Sequence, residues 1–376
     1  MLEGWEPPRI FAIGDESAGK STILEQLANV PIFPRKRIFC TRMPIELRLR
    51  RDPDDSKAML MIYKTQPDGS KELEGETKDI PQESGWHFVQ EQMENLVHEF
   101  GSGGLVTDRS IVVEVRHPNV PSIDLVDLPG LAGGEKKSAI DQILMQQLEN
   151  DRKKGNHDMF LAVVPASGDV RPNTNMAMTF VSENNLATRS FGVFSKTDQT
   201  SDTEVLRALV LGESTSQGET PQDLGQVSPM SWVACMLKAP VEVENSQMLE
   251  TNNFERLFLQ SRKEAEFFKS KDDNMRRLVN KHRAGIPSLV QRLEKGYKDY
   301  LHETWGVQAM NKILAKLRVK EAEFKELGVV DDGAPALAQA EVKRRLEAES
   351  ADVKKRYSDF TNQFLKELSI KLEKII

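Results

Sequence analysis

Apolar residues fall in two rhythms along the 376-residue chain. From residue 9 to about 240 they form short blocks, RIFAI, IELRLR, AMLMIYK, IVVEV, SIDLVDL, MFLAVV, RSFGVFS and WVACML, with helical stretches between them. Such alternation predicts an α/β fold with a mainly parallel central sheet flanked by helices. After about residue 250 the blocks stop and apolar side chains recur three and four apart, as at Leu289, Leu293, Tyr297, Tyr300 and Leu301, so the rest is predicted to be an all-helical extension. Gly306 and the loop GVVDDGAPA at 328–336 divide it, giving one helix before Gly306, a second to Leu327 and a third to the end. The third carries Val353, Tyr357, Phe360, Phe364, Leu368, Leu372 and Ile375 on one stripe and stops at Ile376 without a cap or polar tail. An apolar stripe with no stop signal predicts a missing partner and a chain cut from a longer protein.

Composition narrows the class. With 39% hydrophobic and 29% charged residues the chain is ordinary for a soluble protein, and its length suits one large core plus a smaller module. No apolar run approaches the roughly 20 residues that cross a bilayer. The start MLEGWEPPRI lacks the features of a signal peptide, and two cysteines, Cys40 and Cys235, are too few for a disulfide framework, which fits a cytoplasmic protein. The net charge of -7 is uneven: residues after 260 hold 25 Lys/Arg against 19 Asp/Glu, and earlier ones 26 against 39. The basic part could meet anionic partners, or its interleaved charges could be a solvated helix surface. The six histidines show no ligand spacing, and nothing beyond this modest basicity supports nucleic-acid binding.

The chemistry begins at GDESAGKS, residues 14–21, which fits G-x-x-x-x-G-K-[ST] between a predicted strand and the helix start TILEQLA. Backbone N–H groups from Asp15, Glu16, Ser17, Ala18, Gly19 and on to Thr22 would wrap phosphates at a helix N-terminus, Lys20 would reach the β and γ oxygens, and Ser21 would ligate Mg²⁺. SKTD, Ser195 to Asp198, follows an apolar strand. There Asp198 could accept the two N–H groups that guanine offers and adenine lacks, while the Lys196 stem covers the ring, which implies GTP. In LVDLPGL, residues 125–131, Asp127 ends a strand and would hold Mg²⁺ through water, and Gly130 could offer its N–H to the γ-phosphate. Thr41, twenty residues after Ser21, is the candidate for a second Mg²⁺ hydroxyl.

Together, GDESAGKSTILE, CTRMPIELRL, NVPSIDLVDLPGL, FLAVVPASGD, SKTD, and EFF at 266–268 leading into GIPSLVQRL resemble a dynamin-family large GTPase over nearly the whole chain. The resemblance implies a P-loop GTPase domain over residues 1–305, a bundle signalling element helix over 306–328, and the start of a truncated helical stalk over 329–376. It implies activation when two GTPase domains form a homodimer across the nucleotide, further assembly through the stalk, and peripheral attachment to a membrane that the full-length protein remodels or divides. On the same resemblance Thr41 is the switch threonine that positions Mg²⁺ and the attacking water. Ser17 helps bind a monovalent cation, K⁺ or Na⁺, and Asp169 reaches across the dimer. An Mx-like restriction factor would share this chemistry.

Four departures from that pattern stand out. Glu16 replaces the glutamine that orients the water in most relatives. A carboxylate can accept a hydrogen bond from that water and attract the cation, yet it repels the γ-phosphate by about 3 to 4 kcal/mol per unit charge at an effective dielectric near 20. Two outcomes stay open: hydrolysis that survives but is slowed, or a GTP-binding assembly switch with negligible turnover. Leu237 and Lys238 fall where relatives close the base site with an Asn-Arg pair, Gly306 stands for a hinge proline, and only eight residues precede the first strand, so the usual N-terminal bundle helix is not expected. The cluster Arg35, Lys36 and Arg37 could meet phosphates or water.

Overall fold

A computed structural model of the chain describes residues 8–28, 42–54, 57–66, 70–80, 85–101, 105–118, 120, 122–132, 137–155, 158–168, 170–226, 231–237, 253–327 and 344. Among the described residues ten strands form one mixed sheet: β1 (Arg9–Gly14), β2 (Ile45–Arg50), β3 (Lys57–Thr65), β4 (Lys71–Leu73), β5 (Lys78–Asp79), β6 (Arg109–Arg116), β7 (Asp124–Asp127), β8 (Met159–Pro165), β9 (Ser190–Ser195) and β10 (Ser231–Ala234). Their order is β10-β9-β8-β1-β7-β2-β6-β3-β4, with β5 on β3. From β10 to β7 every neighbour is parallel. These strands are covered on both faces, which is why they appear as unbroken apolar runs, and all six residues of β1 are buried. Beyond β7 the sheet changes character: β2 runs antiparallel to β7 and parallel to β6, and β3 is antiparallel to β6, β4 and β5.

Each of the eight apolar blocks contributes to a strand. The two unexpected strands, β4 and β5, have three and two residues, mostly charged, and exist because β3 offers them an edge.

The helices are α1 (Lys20–Ala28), α2 (Gly85–Phe100), α3 (Lys137–Lys154), α4 (Met176–Glu183), α5 (Thr203–Leu211), α6 (Asn253–Ser270), α7 (Asp273–Asn280), α8 (Gly285–Tyr300) and α9 (Gly306–Leu327). Local chemistry sets their ends. Asp202 caps α5 by accepting from Glu204 N and Val205 N, Gly212 closes it in the left-handed region, and Asp272 caps α7 through Met275 N. Helix α1 packs on β1 and β7, α4 on β1 and β8, and α6 on α1 and α7.

In the core, Phe194 of β9 stacks on Trp232 of β10 with centroids 4.3 Å apart. That contact needs Gly192, since a Cβ there would lie 2.3 Å from the indole. At the end of β1 away from Gly14, Arg9 donates to Asp158 from its backbone N–H and its guanidinium, both at 2.9 Å. Beside it Glu46 is ringed by Arg48, Lys71 and Arg9. Burial pushes the Glu46 carboxyl up, but Lys71, Arg48 and Arg9 outweigh it and hold the group at about 2.

Two compact units divide the chain, residues 1–293 and 294–376. In the second, the end of α8 runs into a π turn, Leu301–Trp305, and then α9. The chain passes Gly306 without the expected break: its backbone is helical, with φ -62° and ψ -40°, and its N–H bonds to Leu301 O five residues back. Val307, Met310, Leu314 and Val319 of α9 are exposed. The predicted third helix lies outside the described residues apart from Arg344, which is helical. Among the described residues no helix is long and apolar enough to cross a membrane.

Candidate phosphate and base site

The predicted site residues that are described gather at the C-terminal ends of β1, β7, β9 and β10. β1 stops at Gly14, where a Cβ would lie 2.7 Å from Val163 O of β8. The next loop turns on Ser17 (φ 63°) and Gly19 (φ 98°) and delivers the chain to α1, whose first residue is Lys20. Backbone N–H groups in such a curl, at a helix N-terminus, form a cradle for anions. The Lys20 ammonium is buried and donates to Gly14 O at 3.1 Å and Asp15 O at 3.2 Å, so it spans the loop.

β7 ends on Asp127, which is fully buried. Ser21 Oγ donates to Asp127 Oδ2 at 2.7 Å, joining the predicted metal residues across 106 positions. A hydroxyl and a carboxylate meeting at the phosphate loop form an oxygen donor set that fits Mg²⁺, which commonly takes one or two protein oxygens and completes its shell with water and phosphate. Leu131 N donates to Gly14 O and Glu16 N donates to Leu131 O, both at 2.9 Å, so the two loops are laced together. Gly130 is pinched in this lacing: a Cβ would lie 2.7 Å from Glu16 Cα and 3.0 Å from Lys20 Nζ. The side chains of Glu16 and Ser17 are exposed.

β9 ends on Ser195, whose hydroxyl donates to Ala18 O at 2.6 Å. Lys196 then takes a left-handed conformation, φ 53° and ψ 37°, and a short 3-10 turn carries Asp198, which is half-buried. Thr197 is fully buried and donates to Cys235 O from its hydroxyl at 3.1 Å and its backbone N–H at 3.5 Å. The end of β10 therefore supports the turn that bears Asp198. Leu237 is described, and its carbonyl accepts from Gln260 of α6 at 3.3 Å. Thr41, Asp169 and Lys238 lie outside the described residues, as do Arg35, Lys36 and Arg37.

Three residues at this site carry no functional signal in the sequence. Asn175 Nδ2 donates to Asp15 Oδ2 at 2.7 Å while its Oδ1 caps α4 through Ala177 N. Burial raises the Asp15 carboxyl, against the lowering effects of Lys20, Ala177 N–H and Asn175. An asparagine ahead of an apolar run signals a helix cap, but nothing local signals its second partner 160 positions away. Gln260 and Glu264 of α6 bond to the backbone after β10.

Comparison with known proteins covers the same segments. The sequence model described as the Dynamin family matches residues 10–197, from β1 to the turn after β9. Among curated proteins, the chain is similar to the interferon-induced GTP-binding protein Mx2 of Canis lupus familiaris, 26% identical over 292 residues, which cover 77% of this chain and 36% of that protein. It is also similar to MxB of Danio rerio, 30% identical over 198 residues, 51% and 29% of the two chains. Dynamin-related protein 3A of Arabidopsis thaliana is 27% identical over 211 residues, 54% and 25%. The chain thus spans about a quarter to a third of the length of these relatives.

Proposed function

Because the chain belongs to the dynamin family, we propose that it binds GTP with Mg²⁺ and hydrolyses it to GDP and phosphate, with full turnover reached when two copies meet across the nucleotide. The observation that carries this reading is the bond from Ser195 to Ala18, which ties the turn bearing Asp198 to the loop of Lys20 and Ser21, while Asp127 at the end of β7 is bonded to Ser21. In such a reaction the protein contributes positioning and charge stabilisation more than covalent chemistry. Lys20 and the loop N–H groups hold the phosphates, Gly130 donates its N–H to the γ-phosphate, and Lys196, Asp198 and Leu237 line the base. Ser21 and Asp127, with Thr41 as a further ligand, would hold Mg²⁺, which would supply positive charge to offset that of the phosphates. Glu16 orients the attacking water, and Ser17 holds a monovalent cation. Asp169 reaches the partner copy and Lys238 completes the base contact. Names of relatives that include GTP binding support the substrate. Membrane remodelling belongs to the full-length protein in this reading.

One observation favours a second reading. The backbone of Glu16 is packed against Gly130 and bonded to Leu131, and in this reading its carboxylate stands at the γ-phosphate end of the loop. If its charge outweighs its help to the water, the chain is a GTP-controlled assembly switch with negligible turnover. GTP turnover per molecule, measured over a range of protein concentration with Mg²⁺ and K⁺ and with ATP as control, separates the two. The enzyme gives turnover that climbs with concentration; the switch gives binding with turnover flat and near zero.

A further inference from the structure

Beyond the residues that would touch nucleotide, α6 holds the chain after β10 by two buried side chains. Glu264 is 2% exposed and Gln260 is not exposed at all. Glu264 Oε1 accepts from Met236 N–H and Oε2 from Ile286 N–H, each at 2.8 Å. Both donors stand at the ends of elements: β10 ends at Ala234, and Ile286 lies in the first turn of α8, where helical N–H groups have no intrahelical acceptor. One carboxylate thus serves a strand end and a helix start. Gly285 makes the approach possible, since its φ is +81° and a Cβ there would lie 3.2 Å from Glu264 Oε2.

What Glu264 holds bears on the base. Between Ala234 and Leu237, the Cys235 carbonyl receives both bonds from Thr197, the residue before Asp198. Gln260 takes the Leu237 carbonyl at 3.3 Å, and its own amide oxygen accepts from Gln26 of α1 at 3.1 Å. The helix that starts at the phosphate loop and the strand end that supports the base turn therefore share α6 as a common anchor.

We propose that Glu264 is a positioning residue for guanine recognition: its carboxylate fixes residues 235–237, and through the Cys235–Thr197 bonds it fixes Asp198. This inference rests on the reading of the site as a GTP site. It separates base recognition from phosphate binding, because the two bonds of the Glu264 carboxylate go to Met236 and Ile286 and neither reaches the phosphate loop or α1. A glutamine at 264 keeps size but turns one acceptor into a donor, aimed at a backbone N–H. Burial lifts the Glu264 carboxyl to about 7 in spite of its two N–H partners. Among the described residues Cys235 feels the Glu264 charge: burial, then that charge, pushes its thiol well above the usual range, so it stays neutral near pH 7.

The test is equilibrium binding of GTP, inosine triphosphate, ATP and tripolyphosphate, all with Mg²⁺, at pH 6 and pH 8, for the wild-type chain, Glu264→Gln and Gln260→Met. Inosine triphosphate lacks the exocyclic amino group that Asp198 would read. Glu264→Gln is expected to weaken GTP binding about tenfold, the effect of roughly one lost hydrogen bond, and to shrink the GTP preference over inosine triphosphate. Tripolyphosphate binding stays as in the wild type, and the wild-type preference is smaller at pH 6 than at pH 8, a difference the variant lacks. A folded Glu264→Gln with the wild-type preference overturns the proposal, and so does an equal loss for tripolyphosphate, which marks a structural role only. If Glu264→Gln does not fold, an unchanged preference in Gln260→Met together with a pH-independent wild type overturns it. A wild-type chain that fails to prefer GTP over ATP overturns the GTP reading itself, and the proposal with it, before any variant is made.

Discussion

Ser195 and Ala18 lie 177 positions apart in sequence, yet the serine hydroxyl donates to the alanine carbonyl at 2.6 Å, so one side chain joins the base turn to the phosphate loop. Ser195→Ala leaves that buried carbonyl without its donor. The expected cost is about 1 kcal/mol, near fivefold in affinity. Unlike a change at Glu264, it should weaken GTP and tripolyphosphate together, and calorimetric titration of both ligands checks this.

Gly130 has no room for a methyl group, with Glu16 Cα 2.7 Å from the would-be Cβ. Gly130→Ala must push the two laced loops apart. A displacement of this size at a reacting centre costs about a hundredfold or more in turnover. The effect should appear in kcat, with the far-ultraviolet circular dichroism spectrum unchanged.

Asp127 and Ser21 share a 2.7 Å hydrogen bond. In Asp127→Asn the negative charge is gone while the shape remains. The Mg²⁺ concentration for half-maximal turnover is expected to rise about tenfold or more, as it does when an outer partner of a metal is lost. A Mg²⁺ titration at saturating GTP measures it, and an unchanged midpoint would remove Asp127 from the metal site.

Glu46 and Glu264 make opposite contributions to stability against pH. Glu46 is held at about 2, below its ordinary 4.5, so the fold favours its charged form; the stability it adds is complete above pH 4.5 and is lost as pH falls towards 2. Glu264 is raised to about 7, so the fold favours its protonated form, and stability declines as pH rises from 4.5 to 7. Each shift corresponds to on the order of 3 kcal/mol. Urea unfolding from pH 2 to 8 should therefore show a fall from pH 4.5 towards neutral pH that disappears in Glu264→Gln, while Glu46→Gln loses stability at neutral pH and the loss shrinks only as pH falls towards 2.

Glu16→Gln separates the two readings of function. In a working enzyme it changes turnover by a small factor, since amide and carboxylate can both accept from the water. In a binding switch it removes a repulsion of about 3 kcal/mol from the γ-phosphate and turnover rises from near zero. Phosphate release at matched protein concentration gives the answer.

How far the molecule could be foreseen depends on what kind of group makes each contact. β1, β8 and β9 were visible because burial on both faces demands an unbroken apolar run. β4 and β5 were not, since the charged KEL and KD become strands only where β3 supplies hydrogen bonds. The parallel direction of β10 to β7 follows from the alternation with helices, but the reversal at β2 left no trace: its apolar block is the same whichever way it runs beside β7. At the site, Gly14, Gly19, Lys20 and Ser21 stood out because their chemistry is local and tied to spacing. Glu264 was silent because both its partners are backbone N–H groups, which every non-proline residue possesses.

The π turn at Leu301–Trp305 sets the angular phase of α9. Each helical residue advances the chain by about 100°, and a turn closed over five residues in place of four absorbs one such step. The exposed Val307, Met310 and Leu314 thus point where they do, relative to residues 294–300, because of one extra residue. Gly306 tolerates that step because it has no Cβ to meet Leu301 O at 2.7 Å. Closing residues 301–305 as a regular α-helical turn, with no residue removed, would leave the helix continuous and its composition unchanged, yet would swing the whole apolar row of α9 by about a quarter of a turn.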